Sequence, residues 1–328
     1  MIYKCKNCDG NMVYKIEEQR MFCPYCNSLD TEQIVTDEDM YTCVCCGAPI
    51  TVGEYESAGK CKSCSQYVIF DERIEGEYKP KQILPFKVSK AAAKTLIRRE
   101  YEKKLYAPDS FLSEANLEKI EGTYVPFWLF NFHSNFHFEG KGSRVRKWTS
   151  GNREYIETSN YNICRDFDAV FSKLPVDASL AMPDDIMDLM EPYDYRFLED
   201  FDPKYMSGFL GEIYNSPAAA YEPRAMMKMR DDVDGLFKKS TMGYTNLLAL
   251  EKKLTSTTKD VMYALLPVWK YTYSYRGKNY EYYINGQSGK VIGEAPVSKI
   301  KTITYPLTVF GLTVLGAALL MSILGGMM

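Results

Sequence analysis

The chain has 328 residues, of which 46% are hydrophobic and 25% are charged, and its formal net charge is −3. This length predicts two or three domains, and the composition is that of a globular protein and not of a disordered chain. The nearly balanced charge argues neither for nor against a charged partner.

Eight cysteines in the first 64 residues form an internal repeat of four C-x2-C pairs. The pairs are Cys5/Cys8 with Cys23/Cys26, and Cys43/Cys46 with Cys61/Cys64. The offset is constant (43−5, 46−8, 61−23 and 64−26 all give 38), which indicates two copies of one unit. Four thiolates suit one tetrahedral Zn²⁺, so we predict two tandem zinc ribbons, 1–38 and 39–70, with two Zn²⁺ per chain.

We predict metal sites because the alternatives need conditions that the sequence does not offer. A unit of fewer than about 40 residues usually needs a metal, a disulfide or a partner, and zinc supplies roughly 10–16 kcal/mol in small zinc-finger peptides. Disulfides need an oxidising compartment, whereas the opening MIYKCKNCDG has no apolar run of a secretory signal. Iron in a rubredoxin-like site would use similar pairs. Four protein thiolates leave no open position for water or substrate, so the predicted sites are structural.

Two cysteines fall outside the repeat. Cys45, in CVCCG, either replaces a neighbouring cysteine as ligand or is a free thiol on a tight turn. Cys164, in YNICRDFD, is predicted to be a small buried apolar residue, because no histidine lies near it in sequence to activate it as a nucleophile.

The ribbon region is acidic. Residues 1–70 carry six lysines and arginines against ten aspartates and glutamates (6 − 10 = −4), and each Zn²⁺ with four thiolates adds about two negative charges. Affinity for nucleic acids comes largely from cations that neutralise phosphates, so DNA or RNA binding is the weaker interpretation. Residues 36–39 are predicted to link the ribbons, and the polar segment 71–80 to lead into a body at 81–300.

The body begins with an amphipathic helix. Ser89 can cap it, and Pro108 ends it after about Tyr106. Apolar residues recur every four positions and form one stripe: Ala93, Ile97, Tyr101 and Leu105. The other face carries cations that are either solvated or near anionic lipid headgroups: Lys90, Lys94, Arg98, Lys103 and Lys104.

Two related β units are predicted in the body. The segments VPFW (125–128) and LPVW (266–269) each precede alternating aromatic residues. In 130–138 the phenylalanines share one strand face, and the other face holds polar residues: Asn131, His133, Asn135 and His137. Because the two histidines lie roughly 13 Å apart along a strand, we predict no metal site there. Gly140-Lys141-Gly142 is predicted to be a turn before a return strand over 144–148.

Helices separate the two units, and the body closes with a small sheet. Pro223 suits the first turn of a helix whose apolar stripe is predicted to be Met226, Met229, Val233 and Leu236. Turn signals at 285–286 and 288–289 predict an antiparallel meander over 268–293. The fold class is therefore α+β: two zinc ribbons, a mixed body with antiparallel sheet, and one C-terminal membrane helix.

The chain ends in an uncharged segment that predicts this membrane helix. No charged residue occurs from Thr302 to Met328, and 307–328 would form about 33 Å of helix against a hydrocarbon core of about 30 Å. Pro306 stands where a first helical turn tolerates proline, and cations flank only the N-terminal side: Lys299 and Lys301. We predict a single-pass tail anchor at 303–328 in the cell membrane, with the N-terminal bulk cytoplasmic. A core helix of a soluble protein is the alternative.

No motif of a known enzyme class is present. The nearest approach to a phosphate loop, Gly53 to Lys60, has the wrong spacing, and G-x-S-x-G, H-E-x-x-H and G-x-G-x-x-G are absent. We expect a non-enzymatic protein, and the remaining enzymatic alternative is a site in 81–300 around His133 and His137.

These features together resemble one protein family. They are the doubled ribbon, YVPFW at 124–128, LPVW at 266–269, NGQSGKV at 285–291 and the hydrophobic C-terminal segment. They are similar to those of bacterial membrane proteins that contain a zinc ribbon of the transcription-factor-IIB type, some of which carry labels as relatives of a primosomal helicase. The resemblance covers most of the chain and implies zinc ligation at the eight repeat cysteines.

The resemblance also implies a function. Genes of family members lie near those of proteins with SPFH and virion-core-like domains and of phage-shock-type membrane-remodelling proteins, which implies a membrane platform that recruits such proteins during envelope stress. We therefore expect a membrane-anchored adaptor whose cytoplasmic ribbons bind protein partners. The alternative is a membrane-tethered nucleic-acid-binding or transcription-related protein. Some relatives have more than one span, whereas this chain has one.

Overall fold

The computed structural model describes residues 1–36 and 41–325 and confirms the α+β fold. The strands of the ribbon region are β1 (Ile2–Cys5), β2 (Val13–Lys15), β3 (Arg20–Phe22), β4 (Glu32–Val35), β5 (Glu56–Lys60) and β6 (Tyr67–Ile69). The body contains β7 (Gln82–Ile83), α1 (Lys90–Glu102), α2 (Glu114–Leu117), β8 (Glu121–Ser150), β9 (Arg153–Asp177), α3 (Asp184–Met190), β10 (Glu199–Asp200), β11 (Leu210–Glu212), α4 (Ala218–Ser240), β12 (Thr245–Tyr275), β13 (Lys278–Asn285) and β14 (Val291–Gly293). The chain continues into α5 (Lys299–Gly325).

The two ribbons join the rest of the protein differently. The first has two small antiparallel sheets of its own, β1 with β4 and β2 with β3. In the second, β5 pairs with β6 and also with β11, so this ribbon is part of the main ten-stranded sheet. The segment 71–80, predicted to be a linker, holds two short 3₁₀ helices, Asp71–Arg73 and Gly76–Tyr78. Most of the predicted inter-ribbon linker, 36–39, lies outside the described residues.

The main sheet is built around the antiparallel pair β8 and β12. Its strand order is β10-β7-β12-β8-β11-β5-β6, while β9 pairs with β8, β13 with β12 and β14 with β13. β8, β9 and β12 have 30, 25 and 31 residues, and β8 is about 100 Å long at roughly 3.3 Å per residue. Beyond the core they continue as a three-stranded sheet, residues 130–174 and 245–261, that we call the arm.

The predicted aromatic face of β8 is confirmed. The four phenylalanines are buried and pack with the apolar side of α4: Phe130, Phe132, Phe136 and Phe138. His133 and His137 lie on the opposite face of the arm. This alternation follows from the period of two in a strand, and it places α4 on one face of the arm only.

The turn predicted at Gly140-Lys141-Gly142 is wrong, because β8 runs through it to Ser150. Gly140 pairs with Ile163 on one side and with Ala249 on the other. A Cβ at position 140 would overlap the backbone oxygen of Leu248, so glycine is required here by the close approach of β12.

Replacing Gly140 by alanine should therefore destabilise the arm by about 1–3 kcal/mol, the usual cost of overpacking. The matched control is Gly235→Ala in α4, where a Cβ meets nothing within 4 Å. That change should stabilise the protein by about 1 kcal/mol, because glycine is a poor helix former. Urea unfolding of the two variants checks both signs, and a neutral Gly140→Ala would contradict the close approach.

The two proline–tryptophan segments lie side by side on the central strands. Pro126 of β8 is paired with Leu265 of β12, and Pro267 with Tyr124. Trp128 donates from Nε1 to the Ser216 carbonyl at 3.2 Å. Trp269 donates to the Val88 carbonyl at 2.8 Å and so ties β12 to the start of α1. The meander predicted over 268–293 is confirmed as the end of β12 with β13 and β14.

The helix predicted from Ser89 is confirmed, but it ends earlier than expected. Ser89 Oγ accepts from the Ala92 amide at 3.4 Å, and α1 stops at Glu102, which leaves Leu105 exposed. The buried stripe is Ala93, Ile97 and Tyr101. Most of the basic face contacts α2 and its flank: Lys94 and Arg98 pair with Glu114, and Lys90 and Lys94 with Glu118.

Both prolines assigned to first helical turns lie further inside their helices. α4 starts at Ala218, five residues before Pro223, and its buried residues are Ala225, Met229 and Val233. Leu236, predicted to be in the stripe, is 43% exposed, and Phe237 packs against the core in its place. α5 starts at Lys299, because Ser298 Oγ accepts from the Lys301 amide and caps the helix well before Pro306.

The C-terminal helix is long and apolar enough to cross a membrane. The stretch with this length and hydropathy is Lys299–Ala318, and none of it is buried against the rest of the protein. An exposed apolar helix of this length argues against a core helix of a soluble protein. Residues 326–328 of the predicted anchor, 303–328, lie outside the described residues.

Candidate metal centres

The structure gathers the repeat cysteines into two four-sulfur clusters. Cys5, Cys8, Cys23 and Cys26 form one, and Cys43, Cys46, Cys61 and Cys64 form the other, with the Sγ atoms of each within 4.8 Å of one another. Within each cluster, the Sγ atoms of one C-x2-C pair lie close to those of the other pair. These distances are 3.5–3.6 Å in the first cluster and 3.7–3.8 Å in the second. A tetrahedral site with Zn–S bonds of about 2.3 Å has sulfurs about 3.8 Å apart, so the geometry fits zinc without rearrangement.

All four C-x2-C pairs share one backbone turn. The amide of the residue after the second cysteine donates to the carbonyl of the first cysteine at 2.8–2.9 Å, in the order Asp9, Asn27, Gly47 and Ser65. Each of these four residues has a φ between 57° and 69°. Glycine and asparagine adopt this left-handed region at least cost, and aspartate also tolerates it. The residue types at three of these four positions, Asp9, Asn27 and Gly47, are therefore a sequence signal for the turn.

Hydrogen bonds favour the thiolate at Cys5 and Cys26 of the first cluster and at Cys61 of the second. The Thr31 hydroxyl lies 3.3 Å from Cys5 Sγ and lowers the pKa of Cys5 to about 6. The backbone amide of Cys64 lowers the pKa of Cys61 to about 6, whereas burial raises the pKa of Cys64 itself to about 12. Because zinc binds the thiolate form, each cluster contains a cysteine that is ready to start coordination.

The two remaining cysteines have different positions from each other. Cys45 is exposed and outside the sulfur cluster, and its Sγ accepts from the Asn11 amide at 3.3 Å. The free-thiol interpretation of Cys45 therefore fits the geometry better than ligation. Cys164, predicted to be buried, is exposed, because it lies on the open face of β9, whereas its neighbour Ile163 is buried in the apolar cluster with α4.

The ribbons pack on each other and on the body. Asn11 Nδ2 also donates to Gln66 Oε1 at 3.0 Å, and the chain start is held against the second ribbon by the Ile69 amide on the Met1 carbonyl. The first ribbon contacts the body through Ser207, whose Oγ donates to the Met12 carbonyl at 2.8 Å. The two metal centres are therefore fixed relative to the main sheet.

The cations of the ribbons are mostly used in ion pairs. Lys4 pairs with Asp9, Lys15 with Glu18, Arg20 with Asp30 and Lys60 with Glu121, at 2.5–3.6 Å. In residues 1–36 and 41–70, only Lys6 and Lys62 stand outside these pairs. A phosphate backbone would have to compete with neighbouring carboxylates for the other four cations.

His137 lies in a polar group on the open face of the arm. Its Nδ1 is 2.6 Å from Asp166 Oδ1, and Cys164 Sγ is 3.3 Å from Asp166 Oδ2. The carboxylate thus stands between the thiol and the imidazole, whereas an activated cysteine needs the imidazole next to it. Asp166 raises the pKa of Cys164, which keeps the thiol protonated. His133 is not part of this group, so the two histidines do not form a common site.

An ion network around one buried carboxylate joins β9, α3 and α4. Asp177 is 1% exposed, and its Oδ1 lies 2.9 Å from Arg224 Nη1. Arg224 also contacts Asp184 at 2.9 Å and Asp188 at 3.0 Å. Burial raises the pKa of Asp177 to about 7, against the lowering effect of Arg224. The network holds helices against the sheet, and nothing in the sequence pattern pointed to it.

The raised pKa of Asp177 has a consequence for stability. The folded state keeps the proton up to about pH 7, while the unfolded state loses it near 4, so this carboxyl reduces the unfolding free energy as pH rises between these values. The Asp177→Asn variant has no carboxyl here, so it does not lose stability in this way. Its unfolding free energy minus that of the unsubstituted protein should therefore increase from pH 5 to pH 8. Denaturant unfolding at both pH values measures this difference, with Asp200→Asn, an exposed carboxylate outside the network, as control. A difference that does not change with pH would contradict the assignment.

The chain is similar over nearly its whole length to a known protein. The chain is 31% identical, over 99% of its length and 98% of the relative's, to a Bacillus subtilis (strain 168) protein described as the uncharacterized protein YdjG. No protein-family model matches the chain. No solved structure matches it either.

Proposed function

This chain belongs to the family of the Bacillus subtilis protein YdjG, and we propose that it acts as a non-enzymatic adaptor anchored in the cell membrane. Its cytoplasmic ribbons hold two Zn²⁺ as structural ions and bind a protein partner. The observation that carries this proposal is the closed, four-sulfur geometry of both clusters in a chain that ends in an unburied apolar helix. A closed site offers no coordination position to a substrate.

Exposed apolar side chains on the ribbons supply a surface for the partner. Tyr25 lies between the cysteines of its pair and is 72% exposed, and Ile34 on β4 is 61% exposed. Aromatic and aliphatic groups that are exposed on a rigid support are the usual anchors of protein interfaces. The partner class that we propose is the one that the family resemblance implied: proteins with SPFH and virion-core-like domains, or phage-shock-type membrane proteins.

The membrane-tethered nucleic-acid-binding alternative has less support. Its expected electrostatic footprint is a row of free cations, and most ribbon cations are paired with carboxylates. The enzymatic alternative would need His133 and His137 in one cleft, whereas they contact different neighbours on an open sheet face.

Proximity labelling in intact cells tests the proposal. Removing residues 1–70 would break the main sheet, because β5 and β6 belong to it, so surface substitutions are the better probe. Tyr25→Ala with Ile34→Asp should abolish labelling of the partner while the protein stays in the membrane. Leu180→Asp, a 65% exposed apolar position of the body, is the matched control. Equal labelling by the two variants would overturn the role of the ribbons.

A further inference from the structure

The first turns of α5 are fixed to the body by three contacts. The Ser298 amide donates to the Tyr106 carbonyl at 2.7 Å. Lys301 Nζ lies 2.5 Å from Asp109 Oδ1. The rings of Tyr106 and Tyr305 pack edge to face with centroids 5.9 Å apart. The start of the candidate span is therefore a rigid continuation of the body and not a flexible tether.

A shallow groove lies beside this junction. It is lined by the loop after α1 and by the segment before α5, residues 103–107 and 293–297. Large apolar side chains are exposed in the groove and next to it: Leu105 (56%) and Val297 (59%) line it, and Ile300 (64%) lies in the first turn of α5. These residues lie where a span that begins at Lys299 would enter the bilayer. Exposing such an apolar patch to water is unfavourable, and a membrane surface would cover it.

The charges around the groove complement a lipid headgroup layer. The charged residues of the groove lining are Lys103, Lys104 and Glu294, and Lys299 begins α5 just after it. Of the three lysines, only Lys103 has an ion pair among the described residues, an exposed one to Glu100 at 3.3 Å. The cations therefore outnumber the one carboxylate of the lining. Tyr106 and Tyr305 pack together beside this junction, and tyrosine is enriched at the membrane–water interface of membrane proteins. Cations near the membrane surface attract anionic lipids.

We propose that this groove docks onto the bilayer itself: Leu105, Tyr106 and Val297 enter the interfacial layer, and Lys103 and Lys104 contact phosphates of anionic phospholipids. This inference rests on the proposed membrane anchoring and adds a fixed orientation to it. Because the ribbons and the arm are rigidly joined to the body, docking sets the direction in which they are presented to a partner.

The test uses the full chain in vesicles that contain phosphatidylglycerol, with a nitroxide side chain introduced by an unnatural amino acid at one position at a time. Position 105 should be accessible to oxygen and protected from a water-soluble nickel chelate. Position 180, on the body and of similar exposure (65% against 56%), should be fully accessible to the chelate. Position 312, inside α5, reports whether the helix is in the bilayer at all.

The outcomes separate the two proposals. If position 312 is protected and position 105 is as accessible as 180, docking is wrong while the anchor stands. If position 312 is accessible to the chelate, both the anchor and docking are wrong. Lys103→Glu with Lys104→Glu should expose position 105, and the charge-matched Lys238→Glu with Lys239→Glu in α4 should not. Retained protection in the first pair would overturn the phosphate contacts.

Discussion

Replacing Cys61 by serine is expected to release one of two Zn²⁺ and to unfold the second ribbon. Cys61 is buried, and its Sγ lies 3.8 Å from Cys46 Sγ across the cluster. Zinc contributes roughly 10–16 kcal/mol in small zinc-finger peptides, which is comparable to the whole stability of a typical domain. Losing that contribution cannot be offset by the few buried apolar residues of this ribbon.

The damage should extend into the body. β5 and β6 are strands of the main sheet, and the buried residues Ile2, Val68 and Phe70 pack with Cys43 and Cys61 in one cluster. Hydrogen exchange should therefore increase in 56–70 and in β11, which pairs with β5. An equivalent change in the first ribbon, Cys23→Ser, should leave β11 protected, because β2 and β3 form a separate sheet.

Cys45→Ser is the matched control for Cys61→Ser. It replaces the same atom by oxygen on a loop of the same ribbon, but Cys45 is exposed and outside the cluster. Metal content by mass spectrometry and a thermal melt should be unchanged in this variant. Loss of zinc in Cys45→Ser, with retention in Cys61→Ser, would reassign the ligand set.

The second large effect is expected in α5. Arginine in the centre of a membrane helix costs about 2.5–3.5 kcal/mol, so Leu312→Arg with Leu315→Arg should cost about 5–7 kcal/mol and prevent stable insertion. The double variant should appear in the soluble fraction after alkaline extraction, whereas the starting protein should stay with the membrane. Leu312→Val with Leu315→Val keeps the segment apolar and is the control.

An unchanged membrane fraction for the arginine variant would contradict the span. The helix would then be covered by protein, although it is unburied in the chain alone. The measurement is independent of the ribbons, because among the described residues the contacts that fix α5 to the body are made by Tyr106 and Asp109.

The sequence predicted the metal clusters well because their signal is local. A constant spacing of 38 fixes which cysteines correspond, and C-x2-C is short enough for one turn to bring both sulfurs together. Hydrophobic alternation likewise identified the buried face of β8, since the period of two does not depend on where the strand ends.

The failures have a common cause in long-range pairing. Gly140 looks like a turn residue until β12 is placed beside it, and only then does the lack of a side chain become a packing requirement. Pro223 and Pro306 suggested helix starts, but both helices begin several residues before these prolines. Packing extends α4 in this direction, and the Ser298 cap extends α5. Asp177 and Arg224 lie 47 residues apart in sequence, so no local sequence pattern predicts their ion pair.

Metal counting on the full chain in detergent, under non-denaturing conditions, tests the central claim most directly. The account predicts two Zn²⁺ per chain, and it predicts that added thiol or imidazole does not bind to either ion. Removing the ions with a chelator should unfold the ribbons cooperatively. A metal-free protein whose residues 1–70 remain folded would contradict it.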